Sequence, residues 1–165
     1  MIKLLPFTSA DFELFKSWMT TEEDMVQFAG TIFTWPVTDE QLRNYLAHPD
    51  LKPFKVVLKD SGKIVGHCEF NYQKGQHRLS RVLIANNTER GKGLGEQMIR
   101  KMAQTFFEDT SVSEVDLNVF AFNKAAIRCY EKVGFEINPT KSVQVPVNNE
   151  TWLCLNMILK RERIT

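Results

Sequence analysis

The sequence lacks the features that mark several protein classes. Among its 165 residues are only three cysteines, six prolines and eight glycines, and no apolar run is longer than four residues. Collagen-like and low-complexity chains need far more glycine and proline, whereas a membrane-spanning helix needs about 20 apolar residues in a row. The sequence therefore predicts a globular domain with no membrane partner.

The cysteines and the first residues indicate a cytoplasmic protein. Cys68, Cys129 and Cys154 are odd in number and show no CxxC or other metal-type spacing. We therefore expect reduced thiols and no bound metal. The opening segment MIKLLPF is too short for the apolar stretch of a secretory signal peptide.

The composition fits one ordinary domain, which we expect to span residues 1–165. The chain is 43% hydrophobic and 25% charged with a net charge of +1, which excludes global disorder. Residues 1–50 contain eight acidic and three basic residues, whereas residues 51–165 have a net charge of +6. No nucleic-acid-binding module accompanies this basic part, so we expect no nucleic-acid partner. The basic part serves a compact polyanion such as a nucleotide cofactor or is scattered surface charge, and the acidic part hints at a cationic acceptor.

Turn residues and hydrophobic periodicity predict a mixed α+β fold. Helices are expected after Thr8 or Ser9 and after Thr38, where Gln41 completes a capping-box pattern. Residues 50–87 have the alternation and the turn residues of a three-stranded antiparallel meander. After Gly93 the apolar residues recur every three or four positions, which predicts a helix. The other expected elements are a strand at 115–119, a helix at 126–133, and strands at 135–145 and 152–159.

A glycine-rich segment, Arg90-Gly91-Lys92-Gly93-Leu94-Gly95, lies between a predicted strand and a predicted helix. Its glycines allow positive φ and close approach of a ligand to the backbone, and a helix N-terminus offers free N–H groups to a phosphate. A P-loop needs Ser or Thr where Gly93 stands, and a dinucleotide fingerprint needs glycine where Glu96 stands. The segment is therefore a phosphate cradle of another kind or a glycine-rich bend.

Two motifs in sequence order resemble the GNAT superfamily of N-acetyltransferases. Arg90, Gly93 and Gly95 match that family's pyrophosphate loop, Arg/Gln-x-x-Gly-x-Gly/Ala. The family's next motif is a strand, an Asn, a helix with a Tyr, and Gly-Phe. The resemblance covers nearly the whole chain and implies a splayed, largely antiparallel sheet flanked by helices. The residues that match the second motif are Leu117-Asn118-Val119, Asn123, Tyr130 and Gly134-Phe135.

The resemblance also implies acetyl-CoA as co-substrate and assigns residues to it. Leu83, Ile84 and Ala85 would pair with the pantetheine arm in the manner of an added strand. Asn123 would contact the cofactor arm; the alternative is that it is only the cap of its helix, and capping and cofactor contact are compatible. The loop that would hold the pyrophosphate through its backbone N–H groups consists of Arg90, Gly91, Lys92, Gly93, Leu94 and Gly95.

The resemblance makes Tyr130 the general acid of the reaction. A phenol is protonated at neutral pH and can give its proton to a leaving thiolate; the alternative is a core tyrosine. Glu69 is the candidate general base, because it is the carboxylate within the central strands 64–72 and 79–85. The alternative for Glu69 is a solvated strand residue. His67 and His77 are further candidates, and several enzymes of this family use a chain of water molecules instead.

The acceptor pocket of this family is built by the front part of the chain. There, the segment Phe33-x-Trp35-Pro36-x-Thr38 resembles the subgroup that includes ribosomal-protein alanine acetyltransferases, although its aromatic residues could be core residues. We predict an enzyme that moves an acetyl group from acetyl-CoA directly to a primary amine of a small molecule or peptide. A homodimer is compatible with this reading. The alternative is a non-catalytic acyl-CoA-binding sensor or regulatory module.

Overall fold

In a computed structural model of the chain, residues 1–85 and 91–164 are described. From residue 50 onward, the strands and helices within these residues follow one another in the order that the sequence predicts. The strands are β1 (Ile2–Pro6), β2 (Leu51–Leu58), β3 (Ile64–Asn71), β4 (Arg78–Ile84), β5 (Glu114–Phe120), β6 (Glu136–Val147) and β7 (Glu150–Lys160). The helices are α1 (Phe12–Ser17), α2 (Glu22–Ala29), α3 (Asp39–Ala47), α4 (Leu94–Phe107) and α5 (Lys124–Val133).

The strands form one sheet with the order β1-β2-β3-β4-β5-β7-β6. Every neighbouring pair is antiparallel except β4 and β5. These two parallel strands pair at only two positions, Arg78 with Asp116 and Leu79 with Leu117. Beyond Leu79 the described residues show no further pairing between these two strands, so the sheet is splayed at its centre. The predicted fold class, a largely antiparallel splayed sheet flanked by helices, is confirmed.

Local capping explains where α2 and α3 begin. The side chain of Thr38 accepts a hydrogen bond from the backbone N–H of Gln41 (3.3 Å), as the capping pattern predicts. The side chain of Gln41 does not complete a capping box, because it bonds the backbone of Thr34 and Pro36. The sequence analysis missed α2, although Thr21 caps it by accepting from the N–H of Asp24 (3.0 Å).

The sheet separates two apolar clusters. Helices α4 and α5 pack in the first cluster, whereas α1, α2 and α3 contribute to the second. On β3, Cys68 and Phe70 belong to the first cluster, because successive side chains of a strand point to opposite faces. His67 and Glu69 therefore lie on the face covered by the second cluster, where His67 packs against Phe15 with ring centroids 4.9 Å apart. Among the described residues, no helix is long and apolar enough to cross a membrane.

Candidate functional site

The splay between β4 and β5 opens onto two adjoining cavities. The smaller one, of about 280 Å³, lies between the end of β4 and helices α4 and α5. The larger one, of about 460 Å³, lies between β4, β5 and the α2 region, with residues of β6 and β7 completing its wall. The residues that line both cavities, and so mark their junction, are Gln27, Val82, Asn123 and Tyr130.

The end of β4 presents a backbone edge to the smaller cavity. Leu83 and Ile84 line this cavity, and on the other side of the strand they pair with His67 and Gly66 of β3. Ala85 continues that pairing through its N–H, which donates to the Val65 carbonyl (2.8 Å). A strand edge that a neighbouring strand has left can accept an extended polar chain as an added strand. Pantetheine binding by Leu83, Ile84 and Ala85 stays a prediction, and the position of Leu83 at the cavity favours it.

The predicted phosphate loop leads into α4. Gly91 and Gly93 have φ of 80° and 77°, a left-handed conformation that favours glycine. No described atom lies within 4 Å of the position that a Cβ on either glycine would take. Gly93 is the N-cap residue of the 14-residue helix α4, so the first N–H groups of this helix are available to an anion. Arg90, which the sequence analysis assigns to the loop, lies outside the described residues.

The other three residues of this loop differ in exposure. Lys92 is exposed, whereas Leu94 is buried in the first apolar cluster, so Leu94 can offer a ligand only its backbone. Gly95 lines the smaller cavity. A Cβ on Gly95 would lie 3.6 Å from the Sγ of Cys129, an ordinary contact distance. The smaller cavity therefore runs from the β4 edge to the beginning of α4.

Replacing Gly93 with valine tests whether this loop binds the co-substrate. We expect the affinity for acetyl-CoA to fall at least about tenfold, because branched methyl groups would fill the space that the pyrophosphate needs. Gly62→Val is the matched control, because Gly62 also has a positive φ (74°) and no described atom within 4 Å of the place a Cβ would take, but it lies in the β2–β3 turn. The measurements are calorimetric titration with acetyl-CoA and urea unfolding. Equal affinities in the two variants would place the phosphate site elsewhere.

Asn123 and Tyr130 approach the junction of the cavities from α5. The side-chain oxygen of Asn123 accepts from the N–H of Ala126 (3.3 Å), so Asn123 is the cap of its helix, and it lines both cavities as well. Tyr130 is 7% exposed and packs against Phe135, with ring centroids 6.1 Å apart. Burial raises the pKa of the Tyr130 phenol above its usual value, so the hydroxyl keeps its proton at neutral pH.

Glu69 belongs to a buried polar cluster and not to the cavity lining. Its side chain is fully buried and bonds the hydroxyl of Tyr45 and, at 2.6 Å, Nη1 of Arg81. Burial raises the pKa of the Glu69 carboxyl, while the Arg81 guanidinium opposes that rise. The interpretation of Glu69 as a solvated strand residue is therefore wrong. Its role as the general base remains a prediction, and its contacts favour positioning of Arg81.

His67 completes this buried cluster. Its ring is fully buried, and its Nδ1 lies 2.9 Å from the backbone carbonyl of Arg81, which accepts the hydrogen bond. Burial lowers the pKa of His67 to about 4. His67 is therefore a neutral structural residue at physiological pH and does not line either cavity. The further candidate His77 packs against Tyr72 and Phe106, also away from the cavity lining.

The front part of the chain contributes to the larger cavity, as the family resemblance predicts for the acceptor pocket. The residues that the front part contributes come from the end of α2 and the loop after it, and include Phe28 and Ile32. Phe33 is buried against Phe15 and Tyr45, whereas Trp35 is 39% exposed. None of the acidic residues of positions 1–50 lines either cavity, so the hint of a cationic acceptor finds no support there.

Several residues of the cavity wall escaped the sequence analysis, among them Gln27 and Arg81. Gln27 lies on the helix that was missed. The signal for Arg81 was a basic residue inside an apolar strand, Leu79 to Ala85. The residues that the structure describes contain no group of three or more His, Cys, Asp and Glu side chains that could hold a metal ion.

Comparison with known proteins identifies a family for most of this chain. A family model described as the acetyltransferase (GNAT) domain matches residues 2–136. Aminoglycoside N(6′)-acetyltransferase type 1 of Klebsiella pneumoniae is 30% identical over 112 residues, which cover 61% of this chain and 55% of the relative. The chain thus spans about half the length of the curated relatives it matches.

Two solved structures have the same fold as this chain. Aminoglycoside acetyltransferase AAC(6′)-Ib in complex with coenzyme A superposes with a TM-score of 0.74 at 24% identity, covering 99% of this chain and 96% of that one. The spermidine N-acetyltransferase of Vibrio cholerae in complex with CoA and spermine has a TM-score of 0.78 at 15% identity, covering 98% and 96%. At these identities the likeness establishes the fold alone.

Proposed function

The chain belongs to the acetyltransferase (GNAT) domain family, and from this membership we propose that it transfers an acetyl group from acetyl-CoA to a primary amine. The single observation that carries the proposal is the position of Tyr130 and Asn123 at the junction of two cavities. One cavity has the features of a CoA site, and the other has room for an acceptor. The relatives named above support the same reaction class.

The described residues fit acetyl-CoA in two regions. The edge of β4 at Leu83, which lies beyond the pairing with β5, can bond the amide groups of a pantetheine arm. The open backbone at Gly91 and Gly93 and the N-terminus of α4 can hold a pyrophosphate. When bound, acetyl-CoA supplies a thioester whose carbonyl carbon accepts the amine. We propose that residues 1–165 act as one domain in holding both substrates.

Tyr130 is proposed as the general acid at the junction. Attack by an amine expels a thiolate, and a proton donor within hydrogen-bond reach lowers the barrier to that step. The buried phenol keeps its proton until a thiolate develops beside it, because burial disfavours the free phenolate. Asn123 would contact the arm of the co-substrate with the amide group that capping leaves available. This arrangement gives a direct transfer without an acyl-enzyme.

Proton removal from the amine is proposed to go to water in the larger cavity. Glu69 was predicted as the base, but a base must come within hydrogen-bond reach of the amine. The Glu69 oxygens are engaged by Tyr45 and Arg81, and its side chain is fully buried. We therefore propose that Glu69 positions Arg81 in the cavity wall.

The remaining predictions concern the acceptor, the cellular location and the partners of the protein. By their names, the relatives described above acetylate aminoglycosides and spermidine, whereas residues 33–38 resemble acetyltransferases of ribosomal proteins. We propose a small-molecule amine, and a peptide N-terminus is the other candidate. A cytoplasmic location, a homodimer, and the absence of nucleic-acid and membrane partners stay predictions.

Acetyl-CoA should stabilise the folded protein, because a ligand that binds only the folded state shifts the unfolding equilibrium. At 100 times its dissociation constant the expected gain in unfolding free energy is about 2.7 kcal/mol. Thermal unfolding with and without millimolar acetyl-CoA measures this, and adenosine serves as a control that lacks the pyrophosphate and the pantetheine arm. An unchanged melting temperature would remove both the enzyme and the acyl-CoA sensor from consideration.

A further inference from the structure

The walls of the larger cavity have an unusual charge for an amine site. None of the described residues that line it is an aspartate or a glutamate, but two of them, Arg78 and Arg81, are arginines. The other polar residues of the wall are neutral. A polycation such as spermidine needs carboxylates to replace the water that it loses on binding. The described wall offers no carboxylate, and the polar residues other than the arginines and Tyr130 are Gln27, Thr31, Asn71, Gln73, Ser80, Asn118 and Asn123.

The carboxylates nearest to these arginines are held behind the wall. Asp116 bonds Arg78 with both of its oxygens, at 3.0 Å from Nε and 2.9 Å from Nη2. Glu69 bonds Arg81 and Tyr45. Neither Asp116 nor Glu69 lines the cavity, so the wall contains the two arginines while the carboxylates that pair with them lie outside the lining.

Arg78 and Arg81 differ in which guanidinium N–H donors remain for a ligand. Arg78 donates from its Nε and Nη2 to the two carboxylate oxygens of Asp116, which is the bidentate geometry typical of an arginine–carboxylate pair. Arg81 makes its described side-chain hydrogen bond through Nη1 alone, and its Nε is buried without a partner among the described residues. The Nε is closed to solvent, so a bound anion would reach Arg81 through its Nη2, which has no hydrogen-bond partner among the described residues.

The backbone holds Arg81 at this point of the wall. A bulge between β3 and β4 places Arg81 and Val82 opposite Cys68, since His67 pairs with Leu83 and Glu69 with Ser80. Arg81 itself has a positive φ of 46°, a strained conformation for a residue with a side chain. The next residue, Val82, lines both cavities. Arg81 is therefore one residue away from the junction where the amine must react.

We infer that the acceptor is an amine that also carries a carboxylate, and that Arg81 binds this carboxylate. The inference rests on the proposed acetyltransferase function and narrows its substrate class to compounds of the amino-acid type. A carboxylate on Arg81 fills the unused donors of its guanidinium. The amine of the same small molecule then lies toward Val82 and the junction.

The test measures how fast the unmodified protein acetylates pairs of acceptors that differ only in the carboxylate. Release of CoA thiol from acetyl-CoA is measured with a panel of L-amino acids, each beside its C-terminal amide, and with spermidine and kanamycin. We expect kcat/KM for at least one amino acid to exceed that for its amide by about tenfold or more. The amine of the amide is the more easily deprotonated of each pair, so a preference for the acid cannot arise from amine basicity.

A variant assigns that preference to Arg81. Arg81→Lys keeps the positive charge that Glu69 needs but loses the fork that binds a carboxylate. We expect the acid-over-amide ratio to fall at least threefold through KM, with kcat nearly unchanged. Arg43→Lys is the matched control, because Arg43 is exposed on α3 and lines neither cavity. An unchanged ratio in a folded Arg81→Lys protein would overturn the assignment to Arg81.

The outcomes separate this inference from the function on which it rests. Turnover of amides, spermidine or kanamycin at least as fast as that of every carboxylate-bearing amine would overturn the inference and leave the acetyltransferase function standing. Stabilisation by acetyl-CoA without turnover of any amine would favour the sensor and would overturn the inference too. No stabilisation by acetyl-CoA and no thiol release would remove the proposed function itself.

Discussion

Replacing Tyr130 with phenylalanine should lower kcat by roughly 10²–10⁴-fold, which is the usual contribution of general acid catalysis. The variant loses only the hydroxyl that we propose as the proton donor to the leaving thiolate. It keeps the ring that packs against Phe135 in the first apolar cluster. We therefore expect the affinity for acetyl-CoA and the melting temperature to change little. Thiol-release kinetics, calorimetric titration and thermal unfolding on the same samples measure the three quantities.

Tyr72→Phe is the matched control for this substitution. The control substitution removes the same hydroxyl group, but from a half-exposed ring that packs against His77 and Phe106. Tyr72 lines neither cavity. Turnover by Tyr72→Phe should match that of the unmodified protein. If Tyr130→Phe folds and turns over normally as well, Tyr130 is a core tyrosine and the acid is another group.

Replacing Glu69 with alanine should destabilise the protein by about 3–5 kcal/mol, because it leaves a partly buried arginine without its counter-charge. The Arg81 side chain is 13% exposed and the Glu69 side chain 0%, so water replaces only a small part of the lost contact. Glu13→Ala is the control. Glu13 also pairs with a cation, Lys16, but its side chain is 84% exposed, and exposed pairs contribute about 0–1 kcal/mol. Urea unfolding at pH 7 measures both changes.

Glu69→Gln separates a positioning role from a role as the base. Glutamine still accepts a hydrogen bond from Arg81 and can bond Tyr45, but it cannot take a proton from the amine. If Glu69 positions Arg81, the folded variant should keep kcat within severalfold and show its change in KM for the acceptor. A loss of kcat by about 10² or more together with a flattened pH–rate profile would instead identify Glu69 as the general base.

Much of the fold follows from patterns that are local in the sequence. The spacing of Leu94, Met98 and Met102 matches the period of a helix, and these residues form the buried face of α4. The glycines at 91 and 93 predicted positive φ, and both have it. Features of this kind are set by neighbouring residues, so the sequence shows them without knowledge of the tertiary contacts.

The parts that could not be predicted depend on residues that are distant in the sequence. Strand alternation placed Glu69 on one face of β3, but its burial depends on Tyr45, 24 positions earlier, and on Arg81, 12 positions later. The bulge at Arg81 has no glycine or proline to signal it. Helix α2 was missed because its apolar side chains follow a run of acidic residues in its first turn. The larger cavity is assembled from separate elements along the chain and has no local motif.

The most direct test of the proposed function follows the acetyl group itself. The unmodified protein is incubated with acetyl-CoA and the amine panel, free CoA thiol is counted, and the amines are analysed by mass spectrometry. We predict one N-acetylated amine for each thiol released, at a rate that exceeds that of Tyr130→Phe by roughly 10² or more. The contradicting result is a protein that binds and is stabilised by acetyl-CoA but forms no acetylated amine above the level of Tyr130→Phe.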